Sequence, residues 1–176
     1  MVRLRDTQQH PTARARVKVI PPVGSPNVLL TGEPCSGKST VGNLAGFVDL
    51  DIAHLYHLDH RGGGSTQYID TGMVTDAMCE GGALFAGTAQ NIWEVVHLPW
   101  DLVICLVVSE RLLRTRRKRL SYPELQEPHT LVEHLRHSAE VSDLPLLLLP
   151  ADGRTPQYLS RRIRSEVSKY GGHEYA

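Results

Sequence analysis

The stretch GEPCSGKST, residues 32–40, limits what this chain can fold into more than any other segment. Gly32, four residues, then Gly37, Lys38 and Ser39 fit the spacing G-x-x-x-x-G-K-[ST]. An apolar run, residues 28–31, precedes it, and helix-compatible sequence follows. A strand must therefore end at Gly32, turn tightly and restart as a helix near Gly37. Glycine at both ends supplies the backbone freedom and the close approach that such a turn needs. A turn of this kind gathers several backbone N–H groups beside the positive end of a helix, an arrangement suited to phosphate.

The side chains in the stretch extend that chemistry. Glu33, Pro34, Cys35 and Ser36 form the body of the turn against the phosphates, all but Pro34 with a main-chain N–H, and Cys35 is read as a tolerated small residue. Lys38 sets a point charge on the β- and γ-phosphates of a nucleotide. Ser39 offers a hydroxyl to Mg²⁺, the usual companion of a triphosphate, and Thr40 closes the stretch.

The rest of the composition sets bounds. With 176 residues, 41 % of them hydrophobic and 22 % charged, the chain reads as one folded domain with a real core. No apolar run approaches the ~18 residues of a membrane span. Cys35, Cys79 and Cys105 are widely spaced and odd in number, which argues against a disulfide scaffold and for a reducing, cytoplasmic setting. The formal net charge is zero but uneven. Residues 1–27 hold five cations against one acid and end in IPPVGSP and Asn27, so they read as a basic, mobile tail and linker before a domain at 28–176.

From Asn27 onward short apolar runs alternate with helix-compatible stretches. Strands are expected near 28–31, 47–50, 83–86, 102–108 and 146–149, and helices near 37–45, 70–79, 91–97, 109–120, 130–141 and 156–170. Continuous apolar strands between helices predict a parallel sheet covered on both faces. Ser109 and Thr155 are expected as N-caps, with Pro156 in the first turn after the second. The segment HLYHLDHRGGGSTQYI, 54–69, shows no clear period and reads as a long loop or lid-like insertion. Its three histidines do not share a helical face, so substrate contact or exposure is expected of them rather than a metal site. Arg61 is a candidate for an anionic substrate.

Three further groups carry chemistry. FVDLD places Asp49 and Asp51 two apart at a strand end, on one side of it, where two carboxylates can hold metal-bound water and accept a proton from an attacking hydroxyl. ALFAGTAQN ends a strand in small and amide residues. Gly87, Thr88 and Asn91 suit hydrogen bonds to a phosphate or a substrate hydroxyl, although Thr88 or Asn91 could equally cap a helix. In RLLRTRRKR, Arg116 and Arg119 stand one turn apart near a helix end, placed to reach across a triphosphate.

Together GEPCSGKST, DLD, GTAQN and RRKR resemble the P-loop small-molecule and nucleotide kinases, the adenylate kinase, shikimate kinase and gluconate kinase group, over residues 28–167. The resemblance implies a three-layer α/β/α fold with a five-stranded parallel sheet in the order 2-3-1-4-5 and a short lid near 121–129. It implies ATP phosphates on Gly32 to Thr40 and a metal on Ser39 and Asp49. It implies Asp49 and Asp51 serving metal water and acceptor, Arg116 against adenine, and Arg119 against phosphate. PADGRTP, 150–156, would meet the base edge. The chain departs from the group in three places, one being a short lid at 121–129 with no cysteines for zinc. Eight residues separate Lys38 from Phe47, fewer than usual, and Gly87-Thr88-Ala89 replaces the F-P-R tip that clamps a nucleoside monophosphate. The missing tip weakens a nucleoside monophosphate acceptor and leaves the acceptor open; the expected activity is ATP-dependent transfer of a γ-phosphoryl group to a small-molecule or nucleotide-like acceptor. A nucleic-acid end or modified base bound along the cations is the alternative, and a non-catalytic nucleotide-binding regulator is a third reading.

Overall fold

The computed structural model describes residues 25–50, 53, 55–59, 66–80, 82–121 and 130–171. The expected basic tail, apart from residues 25–27, lies outside them, as do Asp51, Arg61 and the lid beyond Ser121. In chain order the elements are β1 (Val28–Gly32), α1 (Lys38–Ala45), β2 (Val48–Asp49), β3 (Tyr56–Asp59), β4 (Thr66–Ile69), α2 (Thr71–Cys79) and β5 (Leu84–Ala86). They continue with α3 (Ile92–Val95), β6 (Leu102–Val107), α4 (Glu110–Arg119), α5 (Thr130–Ser142), β7 (Leu146–Pro150) and α6 (Pro156–Val167).

Five strands form one parallel sheet in the order β2-β5-β1-β6-β7. Counting only these five along the chain, the order is 2-3-1-4-5, as expected. β1 is central and wholly buried, which its run of apolar residues and Thr31 allows because helices cover both faces. On one face, Val28, Leu30, Ile104 and Leu106 pack with Val41 and Ala45 of α1, Leu113 of α4, and Leu159, Ile163 and Val167 of α6. On the other, Leu29, Phe85, Val103 and Cys105 pack with Val74 of α2, Ile92 of α3 and Leu131 and Leu135 of α5. The register is pinned at the amino edge by Asn27. Its Oδ1 accepts from Ala83 N at 2.9 Å, and its own N–H donates to Asp101 Oδ2 at 2.7 Å.

Helix α1 lies close on the sheet because Gly42 lacks a side chain. A Cβ there would stand 2.8 Å from Ala86 Cβ and 3.3 Å from Leu30 Cδ2. Two caps are side-chain made: Asp70 Oδ1 accepts from Met73 N at 3.0 Å, and Thr155 Oγ1 from Tyr158 N at 3.2 Å. Ser109 holds the N-cap position of α4, but its hydroxyl makes no capping bond, and its N–H instead donates to Asp152 Oδ1 at 2.9 Å. Hydrogen bonds from the Ser109 hydroxyl and N–H hold the Asp152 carboxyl below the usual carboxylate range, helped by Arg116 and Arg111.

The segment expected as a loop or lid-like insertion contains a hairpin. β3 and β4 pair antiparallel, Tyr56 opposite Ile69 and Asp59 opposite Thr66. The signal was in the sequence: two short runs rich in strand-forming residues flank Gly62, Gly63 and Gly64. The histidines of the first run obscured its alternation. Helices α3 and α6 are also shorter than expected, ending at Val95 and Val167 before hydrogen-bonded turns.

Candidate functional site

The turn at 33–37 leaves the carboxyl end of β1 at the point where the sheet order reverses, with β5 on one side and β6 on the other. In open α/β sheets a crevice forms at that place. Backbone geometry there is unusual in three positions. Gly32 has φ 152°, Gly37 φ 97°, and Cys35, a residue with a side chain, φ 71°. The left-handed conformation costs a non-glycine residue roughly 1–2 kcal/mol, so neighbouring contacts must hold Cys35 in it. At Gly32 a Cβ would stand 2.8 Å from Ser36 Oγ and 2.9 Å from Leu106 O, so only glycine fits between the turn and β6.

Helix α1 opens directly from the turn, with Lys38 as its first residue. Its amino end lacks the side-chain cap that α2 and α6 carry. The N-cap is Gly37, no side chain caps it, and the first turn holds no acid. The first N–H groups of a helix have no partner within it, and Gly37 at the N-cap has no side chain to take them. Ser39 and Thr40 are exposed in that first turn, and Lys38 is partly buried.

The turn is tied to both neighbouring helices. Arg116, in the last turn of α4, donates from Nη1 to Ser36 O at 2.9 Å and to Cys35 O at 3.2 Å. Glu33 Oε1 accepts from Leu131 N, at the start of α5, at 3.3 Å. Below the turn lies Cys105, wholly buried and level with Thr31. Burial, then the charge of Glu33, pushes its thiol up to about 12 against the opposing pull of Lys38.

Asp49 ends β2 and is 7 % exposed, with β5 between it and β1. At the tip of β5, Gly87 N donates to Leu30 O at 3.0 Å and Leu50 N to Ala86 O at 3.0 Å. A Cβ on Gly87 would stand 2.7 Å from Leu50 Cδ1 and 3.0 Å from the Tyr56 hydroxyl oxygen. That hydroxyl donates to Thr88 O at 2.8 Å, so the hairpin rests on the strand tip. Asn91 faces the hairpin as well. Its Oδ1 accepts from Ile69 N at 2.8 Å, and its Nδ2 donates to Ile69 O at 2.9 Å and to Glu94 Oε2 at 3.3 Å.

Thus the strand ends bring the turn, Asp49, Gly87 and Thr88 to one edge of the sheet, and Arg116 joins the turn from α4. Arg119, the last residue of α4, is exposed, and no contact to the turn is observed for it. Asp51 and Arg61 lie outside the described residues. Tyr56 was not singled out from sequence. The carboxylate anchoring of Glu33 and Asp152 was equally absent from that reading. Only the apolar alternation of Tyr56 with Leu58 pointed toward the first of these.

A triphosphate suits this donor set: an uncapped helix end, positive φ on the turn and one lysine. Among the described residues no group of three His, Cys, Asp or Glu side chains is gathered to hold a metal alone. Magnesium with a nucleotide does not require one, since phosphates and water supply most of its ligands. Among the described residues no helix is long and apolar enough to cross a membrane.

No protein-family model matches the chain, and no curated protein does. Among solved structures, a gluconokinase from Sinorhizobium meliloti 1021 superposes with a TM-score of 0.47 at 12 % identity, over 85 % of this chain and 95 % of that one. An unliganded sugar kinase from Janibacter sp. HTCC2649 superposes with a TM-score of 0.45 at 17 % identity, over 85 % of this chain and 99 % of that one. Both superpositions are loose and bear on neither acceptor nor mechanism.

Proposed function

We propose that this chain is an ATP-dependent kinase that moves the γ-phosphoryl group to a small-molecule or nucleotide-like acceptor. The observation that carries the proposal is the amino end of α1. It opens from a turn with positive φ at Cys35 and Gly37, begins with Lys38, and has neither a side-chain cap nor an acid in its first turn.

Backbone N–H groups of the turn and of the first turn of α1, Pro34 having none to offer, hold the phosphate oxygens, and the helix end favours their charge. Lys38 binds the β- and γ-phosphates and stays with them as charge shifts onto the bridging oxygen during transfer. Magnesium, when bound, draws charge from the phosphates, and Ser39 and Asp49 are the residues that would hold it. Asp49, or Asp51 beside it, orients the acceptor hydroxyl and takes its proton. Gly87 and Thr88 bound the acceptor side, with Leu50 and the Tyr56 hydroxyl packed where a Cβ on Gly87 would stand. Arg119 reaches phosphate from the end of α4.

A nucleic-acid acceptor is the weaker reading. Two cations of the α4 run are engaged within the chain, Arg116 with the turn and Arg114 with Glu110 at 2.6 Å. Fewer remain for a continuous stripe. The deciding experiment is incubation with γ-labelled ATP and Mg²⁺ against panels of nucleosides, nucleotides, sugars and DNA ends. Transfer to one small-molecule class, lost in Lys38→Ala and cut at least about 100-fold in Asp49→Ala, is the expected outcome. Calorimetry that detects no ATP or GTP binding to the wild-type chain would refute it.

A further inference from the structure

The position of Arg116 does not match a residue waiting for a base. One nitrogen, Nη1, donates to two consecutive carbonyls of the turn, Cys35 O and Ser36 O, across 81 and 80 residues of chain. The same nitrogen stands 3.7 Å from where a Cβ on Gly37 would be. The guanidinium therefore lies along three successive residues of the turn.

A turn whose N–H groups converge on an anion must point carbonyls the other way. Those carbonyls need donors, and water cannot reach all of them beside a sheet. The residues concerned are also the least relaxed: Cys35 is left-handed at φ 71° and Gly37 at φ 97°. A donor on the carbonyl side holds this arrangement without entering the concave side. If that donor is a cation, its field also favours an anion there. Arginine suits the task because its planar group stays charged and presents fixed N–H directions, whereas lysine offers a compact point charge.

We infer that Arg116 is a positioning residue: it sets the phosphate-binding shape of the turn from behind, so its contribution to affinity is independent of the nucleobase. The inference rests on the kinase reading for its ligand and on the turn's own geometry for its mechanism. Stacking on adenine would use a face of the guanidinium and would make its contribution depend on the base.

The test has two arms, each applied to wild type, Arg116→Ala and Arg116→Lys. Calorimetry with Mg²⁺ measures ATP, GTP and inorganic tripolyphosphate. Hydrogen exchange without ligand reads the amides of Cys35, Ser36 and Gly37. In Arg116→Ala, ATP and tripolyphosphate affinities should fall by the same factor, about 10- to 100-fold for the loss of charge-assisted bonds. Exchange of the three amides should accelerate. Arg116→Lys should recover part of both, and added guanidinium ion should recover part of the binding lost in Arg116→Ala. Should Arg116→Ala not fold, the lysine variant carries both comparisons.

Loss of ATP binding with tripolyphosphate unchanged would place Arg116 on the base and overturn the inference. Equal losses with unchanged amide exchange would place it directly on the phosphates and overturn it too. A wild-type chain that binds none of the three ligands would sink the kinase reading, while the exchange arm would still decide whether Arg116 holds the turn.

Discussion

Replacing Asn91 with alanine should destabilise the fold before it touches any substrate. The carboxamide is 8 % exposed and bonds both polar groups of the Ile69 peptide position, N–H at 2.8 Å and C=O at 2.9 Å. Ile69 is itself 1 % exposed, so neither group can turn to water. A buried polar group left without a partner costs about 1–3 kcal/mol, which puts the pair at roughly 2–6 kcal/mol. The bond to Glu94 at 3.3 Å is only partly buried and adds little. For a domain of this size each kcal/mol lowers the melting temperature by about 2–4 °C, so Asn91→Ala should melt roughly 4–24 °C below wild type. Asn91→Asp separates the two bonds: its carboxylate still accepts from Ile69 N–H but faces Ile69 C=O with no donor, so it should not rescue the loss. Thermal and urea unfolding measure the effect, and kcat and KM taken well below the melting point show whether catalysis survives. An alanine variant that melts within about 2 °C of wild type yet loses acceptor affinity would refute the reasoning and make the amide a substrate ligand.

Gly42→Ala should destabilise by about 1–3 kcal/mol through overpacking against Ala86 and Leu30, despite the better helix propensity of alanine, with partial recovery in the double variant with Ala86→Gly. An unchanged urea midpoint would contradict the close approach of α1. Glu166 pairs with Lys169 at 2.6 Å and Arg162 at 2.7 Å, and the Lys169 bond, followed by the Arg162 charge, holds its carboxyl below the usual range against burial. Because the folded value is depressed, this stabilisation is present above the unfolded carboxyl's range and is lost as pH falls through the folded one. Glu166→Gln should therefore be less stable than wild type at neutral pH, and the gap should close in acid; melting curves across pH check both. Cys105, with its thiol raised to about 12, should resist iodoacetamide at pH 8 while exposed Cys79 reacts, and should become reactive only on unfolding. Peptide mapping that finds both thiols labelled at equal rates in the native state would contradict this.

What could be read from the sequence follows the range of the interactions involved. The strand–turn–helix at 32–40 was legible because its glycines and flanking patterns lie within consecutive residues. The sheet was legible because a strand buried on both faces must be apolar throughout, as in VLLTG and LVICLV. Thr155 could be named as a cap because its partner, Tyr158 N, is three residues on. The expectation for Ser109 missed its actual partner because Asp152 is 43 residues away. The same limit applies to Arg116: the cation was visible, but the carbonyls it bonds are 80 and 81 residues distant. Asn91 shows the limit at a strand tip, where an amide can cap, bind a ligand or clip a neighbouring strand, and local sequence does not distinguish the three. The hairpin at β3 and β4 is a different case, a pattern that was present but outweighed by its histidines.

The pairing of α1 with α6 has a consequence during protein synthesis. Val41 and Ala45, on the helix that carries Lys38, share their apolar contacts with Leu159, Ile163 and Val167, which a ribosome makes much later. Strands β6 and β7, which complete the sheet beside β1, also arrive after the turn has been translated. A nascent chain therefore displays the glycine-rich turn long before α6 covers the helix behind it. Contacts so distant along the chain close slowly, and nucleotide added to stalled chains should be captured only once α6 has emerged from the exit tunnel.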